Sequence, residues 1–170
     1  MATKAQVDAA ERIHEKARYL RGRFVNFVAV IERTIALILT DYFCTSNEEK
    51  RHLFFTQVVN GYSFSLSVKK DLLVKIVKKD YPKYWDENKH ILRTLDEIIS
   101  FGNKLAHSVV DVSEQALARP IEEGIRFIEW KEGKPITDME FQDWEVKAGM
   151  VNDCLSDIKQ LLPFKEKSEA

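Results

Sequence analysis

Residues 4–43 read KAQVDAAERIHEKARYLRGRFVNFVAVIERTIALILTDYF. Apolar side chains recur through them at steps of three and four: Val7, Ala10, Ile13, Ala17, Leu20, Phe24, Phe27, Ile31, Ile35, Ile38 and Tyr42. On an α-helix those steps gather the side chains on one face. The stretch therefore reads as one long amphipathic helix, or two, and a chain built on such a spine is mainly α. Gly22, between Arg21 and Arg23, costs about 1 kcal/mol against Ala in a helix interior and marks the expected kink or break. The most apolar part, Phe24 to Phe43, approaches the length of a bilayer span. Asn26, Glu32, Arg33 and Asp41 interrupt it, leaving uncharged runs far below the ~20 residues a span needs. It is expected to be a core helix, with no membrane partner.

Downstream, the polar cluster Thr45 to Glu49 ends this element, and Ser46 or Asn47 can cap a short helix through Val59. Asn60-Gly61 signals a turn, and Leu66, Val68, Leu72, Leu73, Ile76 and Val77 trace a helix with a lysine-rich outer face, ending near Asp80 and Pro82. A further helix starting around Asp86 carries Ile91, Leu92, Leu95, Ile98, Ile99, Leu105 and Ala106. From Ile125 to Trp130 the residues are β-branched and aromatic, Lys131 to Lys134 form a turn, and Pro135-Ile136 return, which predicts a small β-hairpin. Thr137 and Glu140 have the spacing of a capping box, opening a last helix to about Leu162 that Pro163 stops. The expected architecture is a single helical domain over residues 1–164. It holds about five helices in a bundle, with the hairpin before the C-terminal helix and a flexible tail at 165–170.

The chain has 170 residues, 45% of them apolar, with 6 Gly, 4 Pro and 2 Cys, which excludes collagen-like, disordered and disulfide-scaffold classes. Its 26 Lys and Arg nearly balance 27 Asp and Glu, so nucleic acid or anionic lipid would have to be held by a local patch. Cys44 and Cys154 stand apart without a CxxC pair, and no zinc spacing, HExxH, Walker loop or dinucleotide fingerprint occurs. No metal or cofactor is expected. With no signal-peptide order after Met1, a reducing cytoplasm is the expected location.

On the fourth helix, at 100° per residue, Asp96, Ser100, Asn103 and His107 fall within about 60° of one another, a polar line beside the apolar stripe. Histidine changes charge nearest neutral pH and is the commonest general acid or base, so His107 with Asn103 one turn before it can be read as a proton carrier beside a positioning amide. The same line can equally be a polar margin whose histidine sits at a helix C-terminus, where positive charge is favoured.

The string Phe101-Gly-Asn-Lys-Leu-Ala-His107-Ser resembles the signature of HEPN-domain proteins, commonly Arg-Asn-x-x-Ala-His. Asn103, Ala106 and His107 match in place, and the order of helices is similar over roughly residues 5–162. The resemblance implies an all-helical fold and a metal-independent endoribonuclease of the toxin-antitoxin, phage-defence or RNA-processing kind. It also implies a homodimer in which two motifs build one RNA-cleaving site, with an antitoxin or effector protein as a further partner. It would make His107 the acid or base at the ribose 2′-hydroxyl or the leaving oxygen, and Asn103 a positioning residue. Gly102 stands where the family has Arg, the group that steadies negative charge on the phosphate. A glycine cannot supply that charge, and Lys104 lies about 200° around the helix from it. The chain is therefore expected to be inactive or attenuated, as a natural pseudoenzyme, through an introduced substitution, or because the motif arose by chance. Without the resemblance, Gly102 falls near the centre of the apolar arc, where a missing side chain lets another helix approach.

From Lys69 to Arg93 there are eight basic residues against four acidic, with Tyr81, Tyr84 and Trp85 among them, a composition suited to single-stranded RNA or to a solvated lysine face. Lys69, Lys70, Lys78 and Lys79, with Lys104 of the motif helix, are the candidate RNA contacts. Asp111 to Asp153 holds eleven acidic residues against five basic, a side RNA should avoid. The competing reading is a non-catalytic α-helical dimer that binds a protein or RNA and regulates it; Gly102 favours that reading, and Asn103 with His107 favours the enzyme.

Overall fold

The periodicity of residues 4–43 becomes one uninterrupted helix of 40 residues, α1 (Lys4–Phe43), in the computed structural model, which describes residues 2–44, 47–128 and 135–162. No break occurs at Gly22, because Leu20 and Phe24 on either side of it are buried and their packing outweighs the glycine's modest penalty. Asn47 accepts from the Lys50 amide and opens α2 (Glu48–Leu53), which passes into a π-helical segment, Phe54–Val59. Next come α3 (Leu66–Asp80), capped by Ser65, and α4 (Pro82–His107). Helix α4 starts at Pro82 instead of near Asp86, since proline's fixed φ and missing amide suit a first helical position. The short α5 (Glu114–Leu117), a 3-10 turn (Ile121–Glu123) and α6 (Asp138–Leu161) complete the order.

The predicted hairpin is reduced. Among the described residues there is no strand, only two isolated antiparallel bridges, Val110 with Phe127 and Ile125 with Ile136. Ile125 and Ile136 exchange both backbone hydrogen bonds, at 3.0 and 2.7 Å, so the chain does return against itself there. The turn expected at residues 131–134 and the tail at 165–170 lie outside the described residues. Gly124 makes the return possible: its φ of +100° is open to glycine, and a Cβ there would lie 2.3 Å from the Ile136 carbonyl oxygen.

Contacts group the chain into two compact units, each discontinuous in sequence: Met1–Phe27 with Ser100–Lys147, and Val28–Ile99 with Ala148–Ala170. In the first, Ile13, Ala17, Leu20 and Phe24 of α1 are buried together with Leu105, Phe127 and Phe141. The Phe24 ring meets Phe101 and Phe141 edge-on, and Phe101 stacks on Trp144 with ring centroids 4.4 Å apart. Lys16 donates to the Ile121 carbonyl at 2.9 Å and pairs with Asp138. Arg23 lies 2.6 Å from Glu145 as an ion pair without an aligned hydrogen bond. The capping box forms as the spacing predicts: the Glu140 amide donates to the Thr137 hydroxyl at 3.1 Å, and the Thr137 amide to the Glu140 carboxylate at 3.0 Å. Thr137→Ala should cost about 1 kcal/mol in urea unfolding. An unchanged midpoint would mean that the bond closes the helix without stabilising it.

The second unit buries Ile31, Ile35 and Leu39 of α1, Leu73 and Val77 of α3, Leu92 and Leu95 of α4, and Leu155 and Ile158 of α6. Polar links among its helices include Asp41 with Arg51, Tyr42 with Asp80, and Tyr84 with the Cys154 carbonyl at 3.0 Å. Burial pushes the Cys154 thiol up, whereas Cys44 at the end of α1 is partly exposed. Because the thiolate is the reactive form, a thiol reagent should label one cysteine quickly in the native protein and the second only on denaturation. Two equally fast thiols would show that α6 opens at Cys154. No described helix is long and apolar enough to cross a membrane.

Candidate functional site

The last two turns of α4 belong to the first unit, and their register is fixed by the apolar residues. Phe101 and Leu105 are buried, which leaves Gly102 half-buried and turns Asn103, Lys104, Ala106 and His107 to solvent. Asn103 and His107 thus share an exposed edge, one turn apart, with Ser100 exposed before them. Asp96, the fourth member of the predicted line, lies in the second unit, where it is ion-paired with Lys70.

His107 is the last residue of α4, and the carbonyls of a helix end need partners. Arg21 of α1 provides them: its Nε donates to the Leu105 carbonyl at 2.9 Å, its Nη2 donates to the Ser108 carbonyl, and its guanidinium lies over the Phe127 ring at 5.3 Å. The Ser108 amide donates to the Lys104 carbonyl at 2.9 Å, and the chain then bends into the Val110 bridge. Asp111 accepts from the Ser113 amide at 2.9 Å, and these bonds hold its carboxyl below the usual carboxylate range. The result is an exposed imidazole and amide carried on a helix end pinned from α1.

Such an edge offers a proton carrier and a hydrogen-bonding amide to a molecule arriving from solvent. Arg21 is spent on backbone carbonyls, so its guanidinium is not free to meet an anion there. Sequence reasoning missed Arg21 because it, Arg18 and Arg23 are alike in pattern, and only the tertiary contact distinguishes them.

The candidate lysines separate in the second unit. Lys69 is buried and ion-paired with Glu32, and Lys70, with a side chain 13% exposed, is held by Asp71 and Asp96. Lys78 and Lys79 are exposed, and the Lys78 ammonium lies 4.5 Å from the Trp85 ring centroid. The basic surface of α3 is therefore smaller than the sequence count, since the adjacent Lys69 and Lys70 are neutralised by Glu32, Asp71 and Asp96. Among the described residues no group of three or more His, Cys, Asp and Glu side chains could hold a metal ion. No protein-family model, curated protein or solved structure matches the chain.

Proposed function

We propose that the end of α4 is an RNA-cleaving site of the HEPN kind in which one group, the motif Arg, has been replaced by Gly102. The observation that supports this is the exposed edge itself: Asn103 and His107 lie one turn apart on a helix end that Arg21 holds in place. In the reaction the ribose 2′-oxygen bonds to phosphorus, the bond to the 5′-oxygen breaks, and a cyclic phosphate and a 5′-hydroxyl result. His107 takes the 2′-hydroxyl proton or returns one to the leaving oxygen, and Asn103 steadies the phosphate or the ribose by hydrogen bonding. No metal takes part. A second copy completes the site in the family that the motif resembles, so the working form is a homodimer. Lys104, Lys78 and Lys79, all exposed, are the contacts open to RNA phosphates.

With Gly102 in place the chain is an inactive or attenuated form. RNA cleavage in EDTA by this chain, by Gly102→Arg and by Gly102→Arg with His107→Ala tests the reading, and cleavage by the Arg variant alone supports it. Gly102 also favours a second reading, a non-catalytic helical dimer that binds a regulatory protein or RNA. That reading gains if all three proteins stay folded and dimeric and none cuts.

A further inference from the structure

The second unit contains a cleft of about 570 Å³ that the α4 site does not use. Glu32 and Arg33 of α1, Phe55 of the π-helical segment, Tyr62 and Phe64 of the following turn, and Lys69 of α3 line it. That volume is within the range of small-ligand sites. Its chemistry is divided between cations and rings.

The Lys69 side chain is 4% exposed, and an ammonium so far from water needs a counter-charge, which the Glu32 carboxylate gives. This pair leaves the Arg33 guanidinium as the excess charge of the lining. Arg33 is exposed and enters no ion pair among the described residues. The cleft also reaches Ser65, the N-cap of the 15-residue α3, whose N-terminus adds partial positive charge to the lining. A guanidinium presents forked donors that fit the oxygens of a carboxylate or phosphate.

The ring side is as distinctive. Tyr62 is fully exposed, and Phe55 and Phe64 are half-buried at the cleft wall. They are presented by an unusual piece of backbone: the Asn60 amide donates to the Phe55 carbonyl at 3.0 Å, closing a π-type turn. The Gly61 α-carbon then passes so close that a Cβ there would lie 2.9 Å from the Gln57 carbonyl oxygen. The hydrophobic effect alone gives no reason to leave a tyrosine ring wholly in water in the lining of a cleft that also carries an exposed guanidinium. A flat ligand with a charged end does.

We propose that this cleft binds a small molecule in which an oxyanion is joined to a flat ring, the oxyanion on Arg33 and the ring against Tyr62 and Phe64. The proposal is independent of the ribonuclease reading and stands if that reading fails. A carboxylate or a phosphate could supply the oxyanion.

Titration of the ¹⁵N-labelled full chain with phenyl phosphate, benzoate, inorganic phosphate and phenol tests it. Phenyl phosphate or benzoate should shift the Gly61, Ser65 and Lys69 amides to saturation, and whichever does so names the oxyanion. Inorganic phosphate and phenol, each half of the ligand, should bind at least about tenfold more weakly. Arg33→Gln should weaken the binding by about tenfold and Tyr62→Ala by several-fold. Arg12→Gln, the same charge change in the other unit, should leave it unaltered. Equal affinity for inorganic phosphate alone, insensitivity to both cleft variants, or the absence of saturable shifts from either ring-bearing anion overturns the proposal.

Discussion

Gly102→Arg is expected to raise RNA cleavage in EDTA by roughly 10²- to 10³-fold over the present chain, the usual effect of one oxyanion-stabilising contact. The physical basis is local. Asn103 and His107 already face solvent one turn apart, and Arg21 already holds the end of α4, so on the proposed reading the guanidinium is the group still to be supplied. Because glycine is among the poorest helix formers, the substitution should also stiffen the last turns of α4. Gly102→Ala separates the two effects, for it strengthens the helix without adding charge and should leave cleavage at the level of the present chain. Gly102→Arg with His107→Ala must lose the gain, which also guards against a contaminating nuclease. If Gly102→Ala cuts as well as Gly102→Arg, helix order limits the activity and the lost-arginine reading is wrong. If neither cuts while both fold, the exposed edge is a binding surface.

How far the sequence led differs between elements for definable reasons. The helices were readable wherever burial falls at steps of three and four, as in α1, and both the Asn47 cap and the Thr137–Glu140 box formed at their predicted positions. The absence of a break at Gly22 was not readable, because a propensity of about 1 kcal/mol is small beside the burial of Leu20 and Phe24. The π-helical segment was hidden too, since FFTQVV has no pattern that tells a wider turn from an α-helical one. In the site, the polar line of Asn103 and His107 is exposed as read, but the stripe read beside it left out Phe101, which is buried, and took in Ala106, which is exposed. The clamp by Arg21 depends on a contact 84 residues away in sequence, and no periodicity reports it. Charge counting had the same weakness: Lys69 and Lys78 look alike in the sequence, yet one is buried against Glu32 and the other stands in solvent beside Trp85.

Phe24→Ala should be the most destabilising single truncation in the first unit, costing about 3–5 kcal/mol. The ring is fully buried and meets Phe101 at 4.8 Å and Phe141 at 6.1 Å between centroids, both edge-on. Its removal therefore forfeits the transfer free energy, leaves a cavity, and breaks two aromatic contacts. Against a total stability of roughly 5–15 kcal/mol this is a large fraction, and the melting temperature should fall by roughly 6–20 °C. Phe24→Leu, which refills much of the space, should recover more than half of the loss. The same packing bears on the site, because Phe101 directly precedes Gly102 and is held between Phe24 and Trp144. In the Gly102→Arg background, Phe24→Leu should thus lower cleavage at a temperature where the protein remains folded, as the last turns of α4 lose their fixed register. A loss of under 1 kcal/mol for Phe24→Ala would mean that the aromatic cluster is not what anchors this helix end, and the rigidity argued for the Asn103–His107 edge would then rest on Arg21 alone.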